Sequence, residues 1–173
     1  MANKRPPSPL RLDLVLTPEL PGPGDRDPIN PKTLVSLCAA LEITLDELNL
    51  SCIFCKGDLT LDELESFTKR HFRVIWRSGF PYGVCWACTF TKAREQGWRH
   101  HTFSAGATTV ELDTGIPLGD LHIRCTVCLK PTTYLEKLAV VSRGGRFHKI
   151  GHHWRGFCTA CIDLRPEDVG TPV

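Results

Sequence analysis

The spacing of eight cysteines constrains this chain more than any other feature. Cys52 and Cys55 are separated from Cys85 and Cys88 by twenty-nine residues, and Cys125 and Cys128 from Cys158 and Cys161 by the same interval. Two thiolates in a C-x-x-C pair grip one cation, and two such pairs complete the tetrahedral four-sulfur shell that zinc prefers. The pattern predicts two structural zinc ions, one for each repeat. An offset of 73 residues relates the halves and also places Gly83 on Gly156, Ala87 on Ala160 and Glu63 on Glu136. That is the mark of an internal duplication. Disulfides and catalytic thiols are the rival readings; without a secretory signal a reducing compartment is expected, where such pairs take metal.

Each cysteine-bounded unit runs 37 residues, too few to bury a self-sufficient core. Metal is therefore expected to supply folding free energy, on the order of 10–16 kcal/mol per site. The net charge of +2 is too mild to specify nucleic acid, and no apolar run is long enough to cross a bilayer, so a soluble intracellular protein is expected. Charge is uneven: residues 52–88 balance at +1 and residues 120–161 at +5, through Arg124, Lys130, Lys137, Arg143, Arg146, Lys149 and Arg155 against Asp120 and Glu136. The second unit is expected to present a basic face.

Along the chain, residues 1–31 hold eight of the thirteen prolines and read as a disordered tail. Inside it, Lys4-Arg5 and the alternating leucines of Leu10 to Leu16 have the look of a short docking peptide. Residues 32–50 read as an N-terminal helical segment. Leu34, Leu37, Cys38 and Leu41 share one helical face, with Cys38 as a buried small hydrophobe, and Thr44 with Glu47 predicts a second short helix. The first zinc domain is expected over 51–90, a connecting helix and linker over 91–119, the second zinc domain over 120–163, and a flexible tail over 164–173. In both zinc units a capping box starts a helix, Thr60 with Glu63 and Thr133 with Glu136. Strands are predicted at 73–77 and 146–150, and the last ligand pair of each unit is expected to open a helix, long in the first unit, from Trp86 to Trp98. The fold class is α+β: two small duplicated four-cysteine zinc domains joined by a connecting helix.

This arrangement resembles a known family, the early protein six oncoproteins of papillomaviruses. Their pattern is two C-x2-C, x29, C-x2-C units separated by 36 residues, the number between Cys88 and Cys125 here. The sequences Leu50-Ser51-Cys52-Ile53-Phe54-Cys55, Pro81-Tyr82-Gly83-Val84-Cys85, Ile123-Arg124-Cys125 and Trp154-Arg155-Gly156-Phe157-Cys158 are also similar to that family. The resemblance spans about residues 32–165.

The resemblance implies a non-enzymatic adaptor in the host cytoplasm and nucleus. Its zinc domains and connecting helix would form the walls of a pocket for an acidic host helix bearing an LxxLL motif. Ile53, Phe54, Phe72, Ile75 and Val84 would supply the apolar groove. Arg77 and Arg124 match basic positions that meet the peptide's carboxylates. His153 falls where well-studied members carry an arginine. The implied partner is a host HECT-type ubiquitin ligase, directed at a tumour suppressor and at apoptosis regulators; the alternative is a Notch co-activator whose transcription is blocked. The terminal Thr171-Pro172-Val173 fits the x-[ST]-x-V form that PDZ domains read through Thr171 and Val173. A weak homodimer is a further expectation.

Other classes fit less well. A RING-type ligase interleaves its ligand pairs, whereas these quartets are sequential. A zinc hydrolase needs an open coordination position, which four cysteines fill. A four-cysteine DNA binder would place a basic helix in a groove, and the segment after Cys158 is not basic; nucleic acid is the less favoured partner.

Overall fold

The computed structural model describes residues 30–163. The expected tail up to residue 29, with its leucine-rich stretch, and the C-terminal segment from residue 164, with Thr171 and Val173, lie outside the described residues. Helix α1, Leu34–Leu41, starts at Thr33, whose side chain accepts from Ser36 N while Ser36 answers the Thr33 N–H. It buries Leu34 and Leu37. Leu41, expected on the same stripe, is instead 52 % exposed, and Cys38 is only half-buried against the core. The helix expected at Thr44 is absent. Thr44 N and Oγ1 both bond Glu47 Oε2 at 2.9 Å, but Leu48 N–H closes a turn on the Leu45 carbonyl. Burial of Leu48 and Leu50 carries the chain inward before a helix can propagate.

Strand β1, Ser51–Cys52, leads to helix α2, Leu61–Lys69, capped by the Thr60–Glu63 box. Strands β2, Ile75–Arg77, and β3, Phe80–Gly83, complete a three-stranded sheet of order β1-β3-β2 in which β1 runs parallel to β3. Strand β2 is shorter than predicted because Val74 N–H is spent on the Lys32 carbonyl, 2.9 Å away. Helix α3, Trp86–His100, follows. The segment expected as linker then forms strand β4, His101–Ala105, and helix α4, Ala107–Thr114. Strand β5, Arg124–Cys125, helix α5, Tyr134–Ser142, and strands β6, Phe147–Ile150, and β7, His153–Gly156, repeat the first unit. Here β4 adds an antiparallel edge strand, giving the order β4-β6-β7-β5. No second-unit counterpart of α3 forms among the described residues: from Thr159 to Asp163 the chain makes turns.

The duplication extends to how helices end. After α2 the N–H of Phe72 bonds the Phe67 carbonyl and that of His71 the Thr68 carbonyl, a Schellman closure. Phe67 and Phe72 supply its apolar contact, edge to face at 5.3 Å. After α5 the N–H groups of Gly144 and Gly145 reach Val141 and Val140 in the same way. The left-handed residue is Gly144 in one half and His71, with φ 53°, in the other. Gly83 and Gly156 recur for a packing reason. A Cβ on Gly83 would meet Leu50 at 2.9 Å, and one on Gly156 would meet Phe147 at 2.9 Å.

The expected basic face is mostly buried or paired, with Arg146 as the exposed exception, donating to the Ser104 carbonyl. Arg124, Lys137 and Arg155 are buried, and Lys137 Nζ donates to the carbonyls of Leu118, Gly119 and Leu121. Lys130, Arg143 and Lys149 pair with Glu136, Asp163 and Asp113. Long cationic side chains follow tertiary packing, which a charge count does not see.

Because Phe147 is fully enclosed, Gly156→Ala is expected to destabilise the protein by about 1–3 kcal/mol through overpacking. Gly106→Ala, where an added methyl meets nothing within 4 Å, is the control. Thermal unfolding of the zinc-loaded proteins checks this.

Candidate metal centres and the interlobe seam

Each C-x-x-C pair is shaped by its own backbone. Cys52 N–H bonds the Gly57 carbonyl and Lys56 N–H the Cys52 carbonyl; in the second unit Cys125 N–H bonds Lys130 and Leu129 N–H bonds Cys125. The residue after each pair, Lys56 (φ 65°) or Leu129 (φ 60°), is left-handed, an uncommon state for a residue with a side chain. These tight turns aim two sulfurs at one point. The second pair of each quartet follows β3 or β7, and Ile53 N–H and Thr126 N–H tie the knuckles to the carbonyls of Gly83 and Gly156.

Thus Cys52, Cys55, Cys85 and Cys88 form one cluster and Cys125, Cys128, Cys158 and Cys161 another, each with its sulfurs within 4.8 Å of one another. A tetrahedral zinc with bonds of about 2.3 Å separates its sulfurs by roughly 3.8 Å. The Cys55–Cys85 and Cys128–Cys158 separations are 3.8 and 3.7 Å. The donor set fits one zinc per cluster, and two zinc ions are the cofactors of this fold. The clusters differ in exposure: all four sulfur residues of the second are buried, whereas Cys55 is exposed in the first.

Glu63 and Glu136 recur because each does two jobs. Each caps its helix through Thr60 or Thr133. Each also accepts the N–H that follows the third ligand, Trp86 to Glu63 at 2.9 Å and Thr159 to Glu136 at 3.2 Å. Burial pushes both carboxyls up, and these backbone donors, joined by Lys130 at Glu136, hold them below the usual range.

The predicted groove residues divide into two groups. Ile53, Phe72 and Val84 are buried in the first lobe's core, and Phe54 and Ile75 are half-buried against it. Lys92 of α3 lies 5.1 Å over the Phe54 ring. Arg77, ending β2, and His153, opening β7, are exposed. Arg124 is turned inward, 5.7 Å over Phe72, and its Nη1 donates to the carbonyls of Arg70 (2.6 Å) and Leu129 (2.9 Å). Burial, with Arg155 beside it, pulls its pKa down to about 10, so it stays charged at neutral pH.

A family model described as Early Protein (E6) matches residues 52–161, from the first ligand to the last. The chain is 37 % identical over 131 residues to Protein E6 of Human papillomavirus 57, covering 76 % of this chain and 86 % of that one. It is 40 % identical over 131 residues to Protein E6 of Human papillomavirus type 53, covering 76 % and 85 %. The chain belongs to the papillomavirus E6 family. A solved structure, the solution structure of the C-terminal zinc-binding domain of HPV51 oncoprotein E6, is 41 % identical and covers 34 % of this chain and 78 % of its own, with a TM-score of 0.33.

Several residues of this E6 chain hold the seam between the lobes without having been predicted to. Leu129, beside the second centre, is fully buried within the first lobe's core. The Arg70 and His71 carbonyls accept from Arg124, Arg155 donates to Gln96 of α3, and Gly151 N–H bonds the His100 carbonyl. Only Leu129 left a trace in the sequence: an apolar residue where the first repeat has Lys56.

Cys38 lies outside both clusters. Cys38→Ser is expected to retain two zinc ions per chain and Cys128→Ser to retain one, while chelation unfolds both lobes. Native mass spectrometry and circular dichroism read these outcomes.

Proposed function

We propose that this E6 chain is a non-catalytic adaptor that captures an acidic host helix bearing LxxLL between its lobes. It would thereby recruit a HECT-type ubiquitin ligase in the host cytoplasm and nucleus and direct it at a tumour suppressor and apoptosis regulators. Family membership supports the reading, and one observation carries it to particular side chains. Phe54 and Ile75 remain half-buried beside a packed core, where leucines spaced i, i+3, i+4 could complete their burial. Arg77 stands exposed on the same lobe to meet a carboxylate, and Lys92 over Phe54 adds a second cation. Arg124 contributes by holding the lobes in register rather than as an open clamp. Four thiolates per centre leave no coordination position for substrate, which favours an adaptor over a metalloenzyme.

The same groove would serve a Notch co-activator helix, so the partner is decided by affinity. Transcription control through direct DNA contact is less favoured, because most of the second lobe's cations are buried or paired. Thr171 and Val173 are proposed as a separate PDZ-binding end.

Titrating the zinc-loaded protein with LxxLL peptides from both partners at two salt concentrations tests the groove. One peptide is expected to bind, more weakly at high salt. Phe54→Ala and Arg77→Ala should each weaken it about tenfold, equivalent to about 1.4 kcal/mol. Binding of neither peptide by a protein holding two zinc ions sinks the reading. Deleting Val173 should abolish PDZ binding and leave LxxLL binding intact.

A further inference from the structure

Two arginines meet at the lobe boundary from opposite sides. Arg124, next to the ligand Cys125, donates to the Arg70 carbonyl at 2.6 Å and the His71 carbonyl at 3.4 Å. Its cation therefore sits on the C-terminal end of α2, where the helix dipole favours it. From that same end Arg70 reaches back. It is 7 % exposed, lies 3.7 Å over the Trp86 ring and donates to Ser66 Oγ, and the thiols of Cys128, Cys125 and Cys161 are close enough to act on its charge. Its Nε has no hydrogen-bond partner, and no carboxylate among the described residues pairs with it. A buried cation with an unspent donor requires a compensating anion.

The duplication provides an internal control. The counterpart of Arg70 is Arg143, whose side chain is 55 % exposed and paired with Asp163. The counterpart of Arg124 is Ser51, which bonds Asp58. The counterpart of Leu129, sunk in the first lobe's core, is the exposed Lys56. None of the three contacts belongs to the repeated zinc unit; all three join the second knuckle to the first lobe. The anion they surround is the second centre itself. Four thiolates around one zinc ion leave a net double negative charge, and here all four are buried, so water screens it poorly. Of the other cations near this centre, Arg124 is spent on backbone carbonyls, and Lys130 is half-exposed and shared with Glu136.

We infer that Arg70 is the outer-sphere counter-charge of the second metal centre, supplied across the lobe boundary, so that filling this centre and docking the lobes are one linked event. The metal fixes the turn from Cys125 to Leu129 that plugs into the first lobe, and the docked first lobe returns the cation that stabilises the metal. Arg70 is thus a positioning residue that acts on the centre of the other lobe.

The test needs no peptide, so it stands apart from the adaptor reading. In the full-length protein, metal loss to a chromogenic chelator is followed for the two centres separately. They are distinguished by cadmium-113 resonances assigned through coupling to the cysteine β-protons. Arg70→Gln is expected to speed loss from the second centre about 10- to 100-fold, to shift that centre's resonance, and to leave the first centre unchanged. Arg70→Lys, which keeps the charge, should recover part of the effect. Leu129→Lys, which installs the residue of the first knuckle, should also speed loss from the second centre. The inference is overturned if Arg70→Gln leaves metal loss and the resonance of the second centre unchanged, whatever Leu129→Lys does. Equal acceleration at both centres in Arg70→Gln, with no recovery in Arg70→Lys, also overturns it, because that pattern marks general damage to α2.

Discussion

The convergence of four sulfurs within 4.8 Å, twice, is the constraint on which the remaining structure depends. Each knuckle closes through a side-chain-bearing residue in the left-handed region, Lys56 or Leu129. Such a turn is not what the free chain prefers. Zinc–thiolate bonds, on the order of 10 kcal/mol per site, outweigh that strain and, added to the burial of the core, offset part of the entropy of ordering a 37-residue unit. The short sheets follow from the same demand. Gly83 and Gly156 bring β3 and β7 against buried side chains so that the second ligand pair arrives opposite the first. Glu63 and Glu136 then couple a helix start to the backbone after the third ligand, so each lobe is cross-braced by one carboxylate.

The features legible in the sequence were those set by local chemistry. Cysteine spacing gave the two centres, and threonine–glutamate boxes marked the starts of α2 and α5, because a cap and its helix lie within one turn of each other. Thr44 with Glu47 carried the same signal, and Glu47 accepts from Thr44 as in the other boxes, but the Glu N–H to Thr Oγ1 bond that Glu63 and Glu136 make has no counterpart there, and no helix followed. Leu48 and Leu50 were needed in the core, and tertiary burial overrode the cap. Strand β4 was hidden for a related reason: His101 to Ala105 has no strong strand composition, and its edge position is set by pairing with β6.

The candidate groove was less legible than the metal centres, because an apolar residue near a ligand can line a surface or fill a core. Ile53, Phe72 and Val84 lie in the core, leaving Phe54 and Ile75 as the reachable part of the set. Arg124 shows the same ambiguity for charge. One basic residue before a cysteine could point outward to a carboxylate or inward to carbonyls, and the packing of α2 against the second knuckle turned it inward. Arg70 gave no sequence signal at all, since its counterpart Arg143 is an ordinary surface arginine.

Duplication supplies two equivalent lobes but no instruction for how they meet. A tandem repeat whose lobes were chemically identical would have exposed polar knuckles on both sides and little reason to dock. Here the second knuckle carries Leu129 where the first carries Lys56, and Arg124 where the first carries Ser51. Those two replacements convert a solvent-facing turn into one that enters the neighbouring core and grips a helix end. The seam this creates is held by arginine–carbonyl bonds, one leucine and the α3–β4 connection. Polar seams within a chain make the mutual placement of two lobes sensitive to individual charges. Any ligand gripped between the lobes is therefore gripped by a geometry that the second metal centre helps to set.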